Sequence, residues 1–182
     1  GGTPEGSPRP SSFKKQTSRS PGAVDGVSTA ELRPPAGVAR GKHMAQKPGS
    51  GEGTRERPWV LRTPSGGSGF QAFRDETLDP PALVVRVGTT ELRYDLRCLT
   101  DLNAMLKAHE DWMPLGSADE QKPAAEGTVE AWGRSPKNPV GGWYGLKKGL
   151  RGRFAMYVPP VMEALHLAEV EHNPKSNRMR AR

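Results

Sequence analysis

Residues 141–154 read Gly-Gly-Trp-Tyr-Gly-Leu-Lys-Lys-Gly-Leu-Arg-Gly-Arg-Phe, interleaving glycines, aromatics and cations in one short stretch. Glycine lets a backbone come close to a phosphate, lysine and arginine attract it, and aromatic rings either stack on bases or fill a core. The chemistry implied is anion binding. A Walker-type triphosphate loop is excluded, because no Gly-Lys-Ser or Gly-Lys-Thr is present and no strong strand leads into the stretch. Lys147, Lys148, Arg151 and Arg153 are the expected phosphate contacts. Trp143 and Tyr144, beside the glycines, are the aromatic contact candidates, with core packing as the alternative reading; Phe154 is assigned to the core.

Other reactive side chains point away from catalysis. Cys98 lies between Leu96 and Leu99 at the start of an apolar face, where a buried thiol is expected and no base is in view. His166 and His172 are six residues apart across a helix-to-strand junction, which is not a metal-ligand spacing, and His109 has no second histidine near it. Asp75, Glu76 and Asp79 form an acidic turn that paired carboxylates could offer to Mg²⁺, although solvation of a turn explains it as well. No nucleophile elbow is present. The expectation is a protein without catalytic residues, metal or cofactor. With a single cysteine there is no disulfide framework, and no apolar run approaches the roughly 20 residues that span a bilayer. A cytoplasmic protein with no membrane partner is expected.

Charge is distributed unevenly along the 182 residues. The formal net charge is +7, but residues 1–43 hold seven bases and three acids, residues 44–131 ten and fourteen, and residues 132–182 ten and three. Clustered cations that meet a polyanion release condensed counterions, so the C-terminal block is the expected phosphate-contacting region.

The elements that must carry these residues follow from periodicity. Residues 1–57 are rich in Gly, Pro, Ser and Thr and hold few large apolar side chains, so a disordered tail is expected there. His43-Met44 looks like a cloning junction, which would make residues 1–43 a leader. Residues 59–61, 70–73, 82–87 and 91–96 read as antiparallel strands, with Leu83, Val85 and Val87 on one face and Glu91, Arg93 and Asp95 on a solvated one. A helix is expected over 100–112, capped by Thr100 or Asp101, and closing over the sheet with Leu99, Leu102 and Leu106. Residues 114–123 read as a connection and residues 128–134 as a modest helix. Val158, Val161, Met162 and Leu165 recur at helical spacing, and Pro159 and Pro160 are tolerated near a helix start, so that helix is expected to begin at about Val158. Residues 167–172 alternate as a strand, residues 173–177 supply turn chemistry, and a second strand places Arg178, Arg180 and Arg182 on one face.

The run from Tyr157 to Val170, an apolar helix followed by Leu-Ala-Glu-Val and a basic hairpin, resembles the end of a winged-helix domain, in which a helix precedes a two-stranded wing. The Gly-Trp-Tyr-Gly-Leu-Lys-Lys-Gly and His-Asn-Pro segments also resemble an actinobacterial family that brings no established activity. The fold expected is therefore α+β: a small antiparallel sheet with a packed helix over 58–115, then a winged-helix-like basic half over 124–182. The function implied is nucleic-acid binding, DNA ahead of RNA, through Lys147, Lys148, Arg151, Arg153, Lys175, Arg178 and Arg180 with Trp143 and Tyr144. Because residues 158–166 offer only Glu163 and His166 as polar groups, these cations would position the protein on a backbone rather than read bases. In that reading residues 58–115 are the expected surface for a protein partner; a protein-binding adaptor on the same winged-helix-like scaffold, without nucleic acid, is the alternative.

Overall fold

Alternating apolar residues build the first layer of the computed structural model, which describes residues 50–182. β1 (Trp59–Arg62), β2 (Gly69–Asp75), β3 (Ala82–Val87) and β4 (Thr90–Asp95) form an antiparallel sheet in the order β1-β2-β3-β4. The register sets Ala72 opposite Val85 and Leu83 opposite Tyr94, so one face presents these residues with Phe70 and Leu92 to the main core. Phe73, Ala82 and Val84 fall on the other face. The Arg55 and Arg86 guanidiniums lie 4.7 and 4.8 Å from the Phe73 ring centroid and cover it. Glu91 reaches both Arg86 and Arg93, which is the solvated charge row expected of this edge.

Residues 1–49 of the expected tail lie outside the described residues, but residues 50–57 are not tail. Ser50 bridges Val60, Gly53 accepts a hydrogen bond from the Arg74 N–H at 2.9 Å, and Arg55 pairs with the buried Asp75 carboxylate at 2.8 Å. Hydrogen bonds from Thr77 and then from Arg55 hold the Asp75 carboxyl down at about 2. Asp75 thereby serves the β2 end, and no cluster of three metal-ligating side chains occurs among the described residues.

α1 (Cys98–His109) buries Cys98, Leu99, Leu102 and Leu106 against the sheet. It starts two residues earlier than the periodicity suggests, and neither Thr100 nor Asp101 caps it; Arg97 occupies the cap position without a side-chain bond. Asp101 is engaged instead by Arg97 and by the Tyr144 hydroxyl. The 114–123 connection opens with a short strand, β5 (Met113–Pro114), and α2 (Val129–Trp132) follows with Thr128 accepting the Ala131 N–H as its cap.

α3 (Phe154–Ala164) begins four residues before Val158, so Pro159 and Pro160 stand inside it. Interior proline removes an i to i−4 hydrogen bond and costs about 3 kcal/mol. Burial of residues 157–162 on all sides of the helix offsets that cost. β6 (Ala168–Val170) and β7 (Arg178–Ala181) form the expected ribbon, and β5 pairs with β7 to give a second sheet in the order β5-β7-β6.

A single hydrophobic cluster runs from Trp59 through Leu102 and Tyr144 to Met179. Residues of both stretches, 58–115 and 124–182, contribute to this cluster. The tightest link is at the β4 edge, where the Asp95 N–H donates to the Tyr144 carbonyl and the Leu146 N–H to the Arg93 carbonyl, each at 2.8 Å. Residues 144–146 thus extend the sheet and fix the glycine-rich loop to it.

This packing separates two neighbours on α3. Met162 is fully buried whereas Leu165 is only partly so. Met162→Ala is expected to cost about 2 to 5 kcal/mol in urea unfolding, and Leu165→Ala distinctly less; equal losses would contradict the described packing.

Candidate nucleic-acid interface

The glycine-rich loop is built as an anion holder. Its Gly149 N–H and Arg151 N–H point at one carboxylate, that of Glu120, at 3.0 and 2.7 Å, and the Arg151 guanidinium reaches the other oxygen at 2.9 Å. The Arg151 hydrogen bond leads, opposed by burial and reinforced by the two backbone N–H groups, in holding the Glu120 carboxyl at about 2. Two close approaches require glycine here. A Cβ on Gly145 would lie 2.5 Å from the Arg151 Cα, and one on Gly152 would lie 2.2 Å from the Glu120 nitrogen, both immovable backbone atoms. Tyr94 closes the loop from within by donating its buried hydroxyl to the Gly152 carbonyl at 2.8 Å.

Of the nine side chains expected to meet nucleic acid, Lys147, Lys148 and Lys175 are exposed, and none has a carboxylate partner among the described residues. Arg151 is committed to Glu120 and Arg153 to Asp119. On the ribbon, Arg178 pairs with Glu171 at 2.6 Å and Arg180 with Glu169 at 2.5 Å, and their guanidiniums lie 5.4 and 4.5 Å from the Trp112 ring centroid. Arg151 is half-buried, not exposed as its sequence context suggests.

The aromatics part company. Tyr144 is fully buried, stacked between Phe154 at 5.5 Å and Trp132 at 5.2 Å, with its hydroxyl donating to Asp101 at 2.8 Å. Burial first, then the Asp101 carboxylate, push its hydroxyl well above the usual tyrosine range. It is a core residue and not a contact for bases. Trp143 is half-buried, with the Arg134 and Arg151 guanidiniums each 4.4 Å from its ring centroid.

The residue that organises this region carries no distinctive sequence pattern. Glu130 is 1% exposed; one oxygen accepts the Ala155 N–H at the start of α3 at 2.9 Å, and the other accepts Arg134 at 2.6 Å. Arg134 also donates to the carbonyls of Lys122 at 2.8 Å, Ala118 at 3.1 Å and Asp119 at 3.3 Å, which places the 118–122 loop over Arg151 and Arg153. The only signal in the sequence was the i, i+4 spacing of Glu130 and Arg134, which is common to solvated helices. At the opposite side of α3, His172 clamps the ribbon to the first sheet. Its Nδ1 is 2.9 Å from the Pro64 carbonyl and its Nε2 is 2.7 Å from the Glu163 carboxylate, two acceptors that only an imidazolium can satisfy together.

A family model described as a family of unknown function, DUF6855, matches residues 51–182. No curated protein and no solved structure matches the chain. No helix among the described residues is long and apolar enough to cross a membrane.

Two outcomes follow from these pairs. Arg134→Ala strands a carboxylate in the core and is expected to cost about 3 to 5 kcal/mol by chemical denaturation; a loss below 1 kcal/mol would mean that Glu130 finds water. For His172, partial burial pulls the pKa down, but the hydrogen bonds to Glu163 and Pro64 and the Glu163 charge outweigh it and leave it above the ordinary value. A raised folded pKa stabilises the fold fully below the unfolded value of about 6.5 and progressively less as pH rises through the folded one. The melting-temperature advantage of the natural chain over His172→Gln should therefore shrink as pH rises above about 6.5. An advantage that does not vary with pH would sink the clamp.

Proposed function

We propose that this chain, which belongs to the DUF6855 family of unknown function, binds the phosphate backbone of nucleic acid, DNA ahead of RNA, without catalysis. The observation that carries the reading is the convergence of two loop N–H groups and the Arg151 guanidinium on a single carboxylate, with Lys147 and Lys148 exposed beside it. Backbone N–H groups in a tight turn backed by a guanidinium are a general oxyanion holder, equally suited to phosphate. The order of α3, β6 and β7, a helix feeding a two-stranded ribbon, supports a winged-helix-like scaffold. Lys175 lies in the ribbon turn, where a wing would meet a second phosphate.

Burial of α3 shapes the kind of binding. Residues 157–162 face protein on every side, so this helix offers no polar face to base edges. Recognition is then of backbone and charge, with little sequence preference.

A second reading, a protein-binding adaptor, is favoured by Trp112. This half-buried ring lies beside Arg178 and Arg180, and tryptophan and arginine are the residue types that dominate protein interfaces.

Titration of the full chain against a fluorescent DNA duplex at rising salt separates the two. Three lysine contacts, each contributing about −0.9, add about −2.7 to the log–log salt slope, and Lys147→Ala with Lys148→Ala should flatten it by about 1.8 while weakening all duplex sequences alike. No binding at low salt would overturn the nucleic-acid reading in favour of the adaptor.

A further inference from the structure

The anion holder is already full. We propose that Asp119 and Glu120 act as an intramolecular stand-in for phosphate, occupying the donors of the 149–153 loop until a nucleic-acid backbone displaces them. This inference rests on the nucleic-acid reading and adds a regulation of the same site.

Three features separate these two carboxylates from ordinary structural ones. The first is what they touch. Glu120 takes the Gly149 and Arg151 N–H groups and the Arg151 guanidinium, and Asp119 takes the Arg153 guanidinium. One dipeptide thus neutralises both arginines of the basic loop. Neither carboxylate accepts a hydrogen bond from any other described residue, whereas the two oxygens of Glu130 join separate segments of the core.

The second feature is how the dipeptide is held. Its backbone is fixed independently of its carboxylates: the Arg153 N–H donates to the Ala118 carbonyl at 2.7 Å, and Arg134 binds the Ala118, Asp119 and Lys122 carbonyls. Gly152 packs directly beneath the Glu120 nitrogen. Release of the loop donors therefore needs rotation of two side chains, the half-exposed Asp119 and the more covered Glu120, and no rearrangement of the fold.

The third feature is the outlet. The Asp119 and Arg153 side chains are 37% and 48% exposed, and Gly149 with Lys147 and Lys148 opens the site to solvent on its other side. Carboxylate and phosphate share the geometry that such donors recognise, two anionic oxygens in one plane with a guanidinium fork. A phosphate strand drawn in by the lysines meets Arg151 and Arg153 next, and each arginine it takes over adds one more contact to the strand. With Glu120 held at about 2, the competing anion stays fully charged at neutral pH, so the strand must outcompete it and cannot wait for protonation.

The test compares the natural chain with Asp119→Asn combined with Glu120→Gln, using the same fluorescent duplex. Removing the two competing carboxylates should lower Kd on the order of tenfold at low salt, because the strand no longer has to displace them. Adding Arg151→Ala should cost the double variant more affinity than it costs the natural chain, where that arginine is already engaged. If the double variant does not fold by circular dichroism, Asp119→Asn alone frees the more exposed Arg153 and should lower Kd by a smaller factor. A folded variant with unchanged Kd, alongside a natural chain that binds and is weakened by Lys147→Ala with Lys148→Ala, overturns the inference and leaves the proposed function standing. Binding by neither chain overturns both.

Discussion

A carboxylate shut away from water, that of Glu130, fixes where three segments meet. An ionised group buried to this degree persists only if paired and hydrogen-bonded, because its desolvation costs several kcal/mol. Glu130 meets that demand with the Ala155 N–H in the first turn of α3 on one side and Arg134 on the other. Its negative charge also suits the positive end of α3, a helix whose own cap residue, Arg153, makes no side-chain cap bond. Arg134 in turn spends its remaining donors on the carbonyls of the 118–122 loop. The position of Asp119 and Glu120 over the basic loop is therefore a consequence of one buried ion pair.

That arrangement changes the meaning of the charge pattern. Along the chain, acids fill the middle and bases the end, which reads as a polarised molecule. In the fold, Asp119, Glu120 and Glu130 from the acidic block pair with Arg153, Arg151 and Arg134 from the basic one, and Glu169 and Glu171 pair with Arg180 and Arg178 across the ribbon. Half of the ten C-terminal cations are thus answered within the protein. Segregation in sequence here is complementarity in space, a distinction that periodicity and composition do not carry.

What the sequence did disclose was whatever depends on short-range pattern. Period-2 alternation located four strands and assigned Leu83 and Val85 to the core face, because a slip by one residue would turn each strand inside out. The ribbon after α3 was legible from Asn173-Pro174 between two alternating runs. What was hidden depends on partners distant in the chain. Tyr144 looks like a loop aromatic beside glycines, yet its backbone pairs with β4 and its ring fills the space between Trp132 and Phe154. Proline at 159 and 160 argued for a helix start, and tertiary burial overrode that local preference. Residues 50–57 read as tail because their glycines suggest freedom, although hydrogen bonds to Arg57 and Arg74 and the Arg55 ion pair fix them.

The division of labour between the two cation types follows from their chemistry. Of the C-terminal bases, Arg134, Arg151, Arg153, Arg178 and Arg180 hold carboxylates, four of them beside a tryptophan ring as well, while Lys147, Lys148 and Lys175 remain in solvent. A guanidinium is planar, weakly hydrated and offers five donors in a fixed fork, so it can serve a carboxylate, a carbonyl and an aromatic face at once. An ammonium is compact and strongly hydrated, and gains little from burial in such a network. On the proposed reading the exposed lysines would attract a polyanion through long-range charge with loose geometry, while the arginines of the loop are held in reserve by their carboxylates. Orientation on a strand would then arise only when the arginines change partner, and under that proposal the acid dipeptide would separate attraction from docking.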